Sequence, residues 1–122
     1  MLVLNGKELK RGDIFYTSWG YDQTNYDYIV VLSISSSGKT AKCQRTSHAD
    51  MGNESQCDLQ MPLFCPFGDV FTMRIKEQYN GELGLRGSYP FCCSGEGSRR
   101  LDTFTKAKEY AIFRETDAYS GH

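Results

Sequence analysis

The 122-residue chain has no apolar run near the roughly 18 residues a helix needs to cross a bilayer, which excludes a helical membrane span. It also lacks an excess of either charge: 14 Lys and Arg face 15 Asp and Glu, for a net charge of −1. That balance excludes a uniformly basic nucleic-acid glove and a polyanion-seeking tail, and leaves room only for local patches. Histidine is scarce, with only His48 and the terminal His122, so a Cys–His nucleophilic pair would have to use His48. No G-x-S-x-G elbow occurs, and the Gly95-Glu96-Gly97 stretch has no helix after it to present an N-terminus to an anion. The opening residues lack the basic start and apolar block of a secretory leader, so a soluble cytoplasmic protein is expected. Internal repeats, linkers and low-complexity blocks are missing too, and this length suits one domain, expected over residues 1–115 with a flexible tail at 116–122.

Five cysteines are present, at 43, 57, 65, 92 and 93. An odd number in a reducing compartment points to free thiols rather than a disulfide framework. Cys43-x4-His48 with Cys57 and Cys65 could supply four soft ligands, but no C-x2-C or C-x4-C knuckle frames them, and buried structural thiols explain them without a metal. Asp50 to Glu54 offers oxygen ligands without the Asp-x-Asp-x-Asp-Gly order of a calcium loop. No metal and no cofactor are expected.

What the chain does contain is strands and turns. Ile14 to Ser18 is rich in β-branched and aromatic residues, and Tyr26 to Ile34 is apolar enough to run through a core. Thr40 to Arg45 and Asp69 to Tyr79 alternate as half-exposed strands should. Asn5-Gly6 and Asn80-Gly81 signal tight hairpins. The glycines of Glu82 to Gly87 suggest a bulge or a close backbone approach, and Tyr89 to Ser94 and Arg99 to Thr105 complete the strand set. Thr46 to Gln60 carries no sustained period and is expected to be a long loop or irregular edge. Pro62 and Pro66 exclude a central strand over 61–68. Lys106 to Arg114 is expected to form at most a short helical turn. The fold class is therefore all-β: a single small barrel or two packed antiparallel sheets, as an SH3-like meander.

The densest polar-aromatic stretch is Ser18 to Tyr28, which gathers Trp19, Tyr21, Asp22, Gln23, Thr24, Asn25 and Tyr26. Flat rings can stack on a ligand while amides and hydroxyls read its donors and acceptors. The same residues could instead cap a barrel end, with Asp22 and Asn25 bonded to their own backbone. Asp22 and Asp27 could also form a carboxylate pair, although surface carboxylates are usually just solvated.

Residues 12 to 31, GDIFYTSWGYDQTNYDYIVV, resemble a group of small phage, prophage and plasmid proteins. Their shared feature is a Gly-Asp-Ile-Phe strand followed by Ser-Trp-Gly-Tyr-Asp-Gln-Thr-Asn, which stands here at 12–15 and 18–25. A weaker echo runs from Leu85 to Thr105. Arg11 replaces the usual apolar residue before the motif, and Tyr26 replaces the usual aliphatic one after it. The resemblance implies a mobile-element origin and brings no catalytic residue with it.

Arg99 and Arg100, with Lys106 and Lys108 following, would lie near Arg86, Arg74 and Lys76 if those strands pair. With Tyr79, Tyr89 and Phe104 interleaved, such a face would look like the single-strand-binding surface of a small barrel, although Glu77, Glu82, Glu96 and Asp102 dilute it. The expected function is a non-enzymatic binding module. It engages a host or phage protein through the Trp19–Tyr28 loop, with Trp19 and Tyr21 as anchors. The alternative is nucleic-acid binding through Arg74, Lys76, Arg86, Arg99 and Arg100.

Overall fold

A computed structural model describes residues 2–4, 7–19, 25–54, 57–78, 82–90, 100–107 and 112–116. They form nine strands and no helix: β1 (Leu2–Leu4), β2 (Lys7–Leu9), β3 (Ile14–Trp19), β4 (Asn25–Ile34), β5 (Thr40–Glu54), β6 (Cys57–Glu77), β7 (Leu83–Tyr89), β8 (Arg100–Lys106) and β9 (Phe113–Thr116). Strands β3 to β8 pair in succession, all antiparallel, and β8 returns to β3 through Phe15↔Lys106 and Tyr16↔Thr105. The meander is thus a closed six-stranded barrel, and closure removes the sheet edges that would invite pairing with other chains.

Alternation fills the interior. Phe15, Ile29, Val31, Ala41, Cys43, Phe71, Met73, Ile75, Leu83, Leu85, Tyr89 and Phe104 form one buried cluster. The expected alternation of 70–76 holds, with Phe71, Met73 and Ile75 inside and Thr72, Arg74 and Lys76 outside. Leu9, set among the charged residues Lys7, Glu8, Lys10 and Arg11, is fully buried. It comes from β2, which pairs antiparallel with β1 through Leu2↔Leu9 and Leu4↔Lys7; the expected Asn5-Gly6 turn lies outside the described residues. The glycines of β7 serve close approach rather than a bulge, since β7 keeps unbroken register with β6 and β8. A Cβ on Gly87 would stand 2.9 Å from the Met73 sulfur.

One expectation is corrected, and two others are not overturned. Residues 46–60 are not a loop, because β5 and β6 continue well past the barrel as the two arms of a long hairpin. Its register shifts three times, and those irregularities hide the period from the sequence. Pro62 and Pro66 do sit in a strand, opposite His48 and Thr46. They fit because β9 pairs only with residues 57–60 of β6 and β7 only with 74–77, so between them β6 has β5 as its sole partner among the described residues. A proline has no backbone N–H to donate, and on such an edge the unpaired side of the strand does not need one. The segment expected to turn helically ends β8 at Lys106 and resumes as β9 at Phe113, with 108–111 outside the described residues. Of the expected tail, Thr116 is the last residue of β9 and 117–122 lie outside the described set.

The hairpin leaves the barrel at a bulge. Gln44 pairs with Val70 but Arg45 with Phe67, so β6 carries two extra residues there. Gly68 turns with a φ of +78° and its carbonyl accepts the Gln44 side-chain amide at 2.6 Å. The arms then fold across the outside of β4. Tyr28 and Val30 face away from the barrel core yet are buried. The Tyr28 hydroxyl donates to Gln60 Oε1 at 2.8 Å, and His48 meets the Tyr28 ring edge-on at 5.7 Å. Phe113 of β9 closes this outer cluster, with ring centroids 4.5, 5.0 and 5.4 Å from Tyr16, Tyr26 and Tyr28.

Replacing Gly87 with Ala should cost about 1–3 kcal/mol, because the added methyl overpacks the interior against Met73. Gly68→Ala should cost about 1–2 kcal/mol through its left-handed backbone. Urea unfolding of both variants measures these values.

Candidate functional site

The end of the barrel that bears the β3–β4 connection differs from the opposite end. The end capped by β2 is apolar, with Leu9, Ile75 and Leu83. The other contains Thr17 and Asp27, buried and paired across β3 and β4. Asp27 is held from two sides: Tyr89 of β7 donates its hydroxyl to Oδ2 at 2.6 Å, and Arg45 of β5 reaches Oδ1 at 3.0 Å. Their side chains are 7% exposed for Asp27 and 16% for Arg45, so this is an inward ion pair rather than a surface one. A carboxylate taken out of water needs such partners, since desolvation otherwise outweighs the gain from packing. Phe67 lies over the Arg45 guanidinium at 5.2 Å, completing a shield. The arrangement ties β4, β5 and β7 together beneath the loop.

The predicted binding residues divide. Trp19 and Asn25 pair as the last rung of β3–β4, so the loop is anchored directly on the barrel rim. Tyr21, Asp22, Gln23 and Thr24 lie outside the described residues. Tyr26 is half-buried, stacked near-parallel on Tyr28 with centroids 6.3 Å apart, and so belongs to the outer aromatic cluster. Of the expected Asp22–Asp27 carboxylate pair, Asp22 lies outside the described residues, and the described partners of Asp27 are a cation and a phenol.

The basic face is half as predicted. Arg74, Lys76 and Arg86 are all exposed, and Arg74 stands directly opposite Arg86. Tyr89 and Phe104, expected to interleave with them, are instead packed edge-to-face at 4.8 Å in the barrel interior. Arg100 begins β8 opposite Tyr89, while Arg99 and Tyr79 lie outside the described residues. Lys106 points to the other end, 3.3 Å from Asp13 and 3.1 Å from the Glu8 carbonyl.

Of the conceivable metal ligands, Cys43, His48 and Cys65 do not converge. Cys43 is in the core, His48 stacks outside on Tyr28, and Cys65 is exposed. Among the described residues no three His, Cys, Asp or Glu side chains could hold an ion together. Burial pushes the Cys43 thiol from its usual 9.0 up to about 12, so it stays protonated and unreactive. A groove of about 570 Å³ runs between Lys10 to Ile14 and Met61 to Phe64. Its one buried carboxylate, Asp13, is already engaged by Lys106 and by the Lys10 amide at 2.9 Å.

Sequence reasoning missed two features. One is the exposed apolar strip of β6: Leu63 is 37% exposed, Phe64 56%, Phe67 42% and Val70 52%. Its signal was an apolar run without alternation, bracketed by prolines. The other is the buried role of Asp27, signalled by a lone carboxylate within the apolar strand Tyr26 to Ile34.

Tyr89→Phe should cost about 1.5–3 kcal/mol, the range for a hydrogen bond to a charged group, measured by urea unfolding. Alkylation under native conditions followed by peptide mapping should label Cys65 and spare Cys43. Because the unfolded chain releases the Cys43 proton first, its contribution to stability should fall as pH rises from about 9 towards 12. No protein-family model, curated protein or solved structure matches this chain.

Proposed function

We propose that the protein is a non-enzymatic binding module of mobile-element origin that engages a host or phage protein. The observation that carries this reading is the strip Leu63, Phe64, Phe67 and Val70, exposed within eight residues of a strand that has a single partner there. Exposed apolar side chains gathered in so short a stretch are costly in water and are a mark of interaction sites, with aromatic residues the usual anchors. The motif that resembles phage proteins adds a second surface. Its loop springs from the Trp19–Asn25 rung, on a rim stiffened by the Asp27 ion pair. A rigid barrel presenting variable loops is how many small β proteins bind partners. The mobile-element origin rests on that motif alone.

The test is capture from a nuclease-treated bacterial lysate by wild type, Trp19→Ala and Phe64→Ser. A protein retained after nuclease, and weakened about tenfold or more by either substitution, supports the reading, as expected for an aromatic hot spot. Capture that survives both substitutions, or that disappears with nuclease, refutes it. Phe64 is more than half exposed, so Phe64→Ser leaves the fold intact.

A further inference from the structure

From the outer face of β5–β6–β7 we infer a second activity: this face binds the phosphate backbone of double-stranded nucleic acid. Closure of the barrel turns Lys42 of β5, Arg74 and Lys76 of β6 and Arg86 of β7 outward, and all four are exposed. Lys42 pairs with Thr72, two residues from Arg74, and Arg74 pairs with Arg86. With strands about 4.8 Å apart and residues rising about 3.3 Å each, four cations occupy a patch of roughly 10 by 13 Å.

Two observations separate this patch from an ordinary solvated face. Arg74 and Arg86 are directly opposed, and like charges in that position destabilise a sheet. An ordinary outer face alternates signs instead. In addition, Asp or Glu occupies none of the outward positions of these strands from Thr40 to Gln44, Thr72 to Lys76 and Arg86 to Ser88. Among the described residues, ion pairs join Arg45 to Asp27, His48 to Asp50 and Lys106 to Asp13, while Lys42, Arg74, Lys76 and Arg86 have none. Arg86 donates to the Thr103 hydroxyl at 2.6 Å, which steadies its guanidinium without neutralising it. Hydroxyls of Thr40, Thr72 and Thr103 stand opposite these cations and are further phosphate-binding groups.

The chemistry of the patch selects the ligand. A repeating array of anions matches cations spread over three strands better than a single small anion does. Tyr89 and Phe104 are in the core, so the described face offers no ring on which an unstacked base could lie. Backbone contact without stacking fits a duplex and carries no sequence preference. The patch borders the Leu63–Val70 strip at Val70, which stands on the same face of β6 two residues before Thr72.

The probe is a labelled DNA duplex of arbitrary sequence, followed by fluorescence anisotropy, with single-stranded DNA and an RNA duplex as parallel arms. Wild type should bind the duplex, and affinity should fall with a log–log salt slope of about −3, as expected for three to four phosphates. Arg74→Glu converts the like-charge pair into an opposite one, so its unfolding midpoint should hold or rise while duplex affinity falls about tenfold or more at low salt. Arg11→Glu makes the same change in net charge away from the patch and should bind like wild type. Lys42→Gln with Lys76→Gln provides an independent variant and should flatten the slope by about two. No binding at low salt overturns the inference, as does equal loss in Arg74→Glu and Arg11→Glu. Preference for the single strand also overturns it. So does a patch variant that keeps duplex affinity and instead loses a protein captured from nuclease-treated lysate, which would make the patch part of the protein-binding surface.

Discussion

Closure of the barrel is the constraint on which the rest depends. Once β8 pairs with β3, each of the six strands has neighbours on both sides, and every residue is assigned to the inside or the outside. The interior is narrow, so side chains alone fill it, from Phe15 and Phe104 to the small Ala41 and the space left by Gly87. The charge of Asp27 enters this interior and is matched: it is neutralised by Arg45 and bonded by Tyr89, which lie on strands far from it in sequence. Breaking any of the three exposes an uncompensated polar group to a low-dielectric core.

The second level of organisation is the β5–β6 hairpin. The barrel needs only the first turns of β5 and the last of β6, and the surplus is folded back by the Gly68 bulge. Its inner side buries Tyr28 and Val30 under a cover of His48, Gln60 and Phe113. At the corner Thr46 takes the Cys65 amide at 2.8 Å and donates to the Leu63 carbonyl, which pins the two arms where the ladder is irregular. Its outer side has no such cover, which leaves the phenyl groups of Phe64 and Phe67 exposed. The functions proposed for this protein accordingly rest on two described surfaces, the apolar residues of the outgrowth and the cationic patch on the wall.

Legibility in the sequence followed locality. The strands at 14–19, 25–34 and 69–77 were readable because β-branched and aromatic residues there alternate or run unbroken, and the barrel class followed from their short links. The 46–60 region was unreadable because three register shifts break the two-residue period on which such reading relies. The prolines were read correctly as hostile to a central strand, but the sequence could not reveal that β6 is an edge between the reaches of β9 and β7. The basic-aromatic face failed in its aromatic half. Tyr89 and Phe104 sit near Arg86 in the chain and in the sheet, yet the pleat turns them inward.

The sequence by itself determined the all-β class and the alternation of 70–76, since these depend on the conformational preferences of neighbouring residues. Only the tertiary structure decided which face each strand turns to the core, which residues meet across it and where surface charge collects. The reason is that a period of two is satisfied equally by either face. Strand closure around a shared interior chooses between them, bringing Asp27 to Tyr89 and Arg74 to Arg86 across separations that no local pattern encodes.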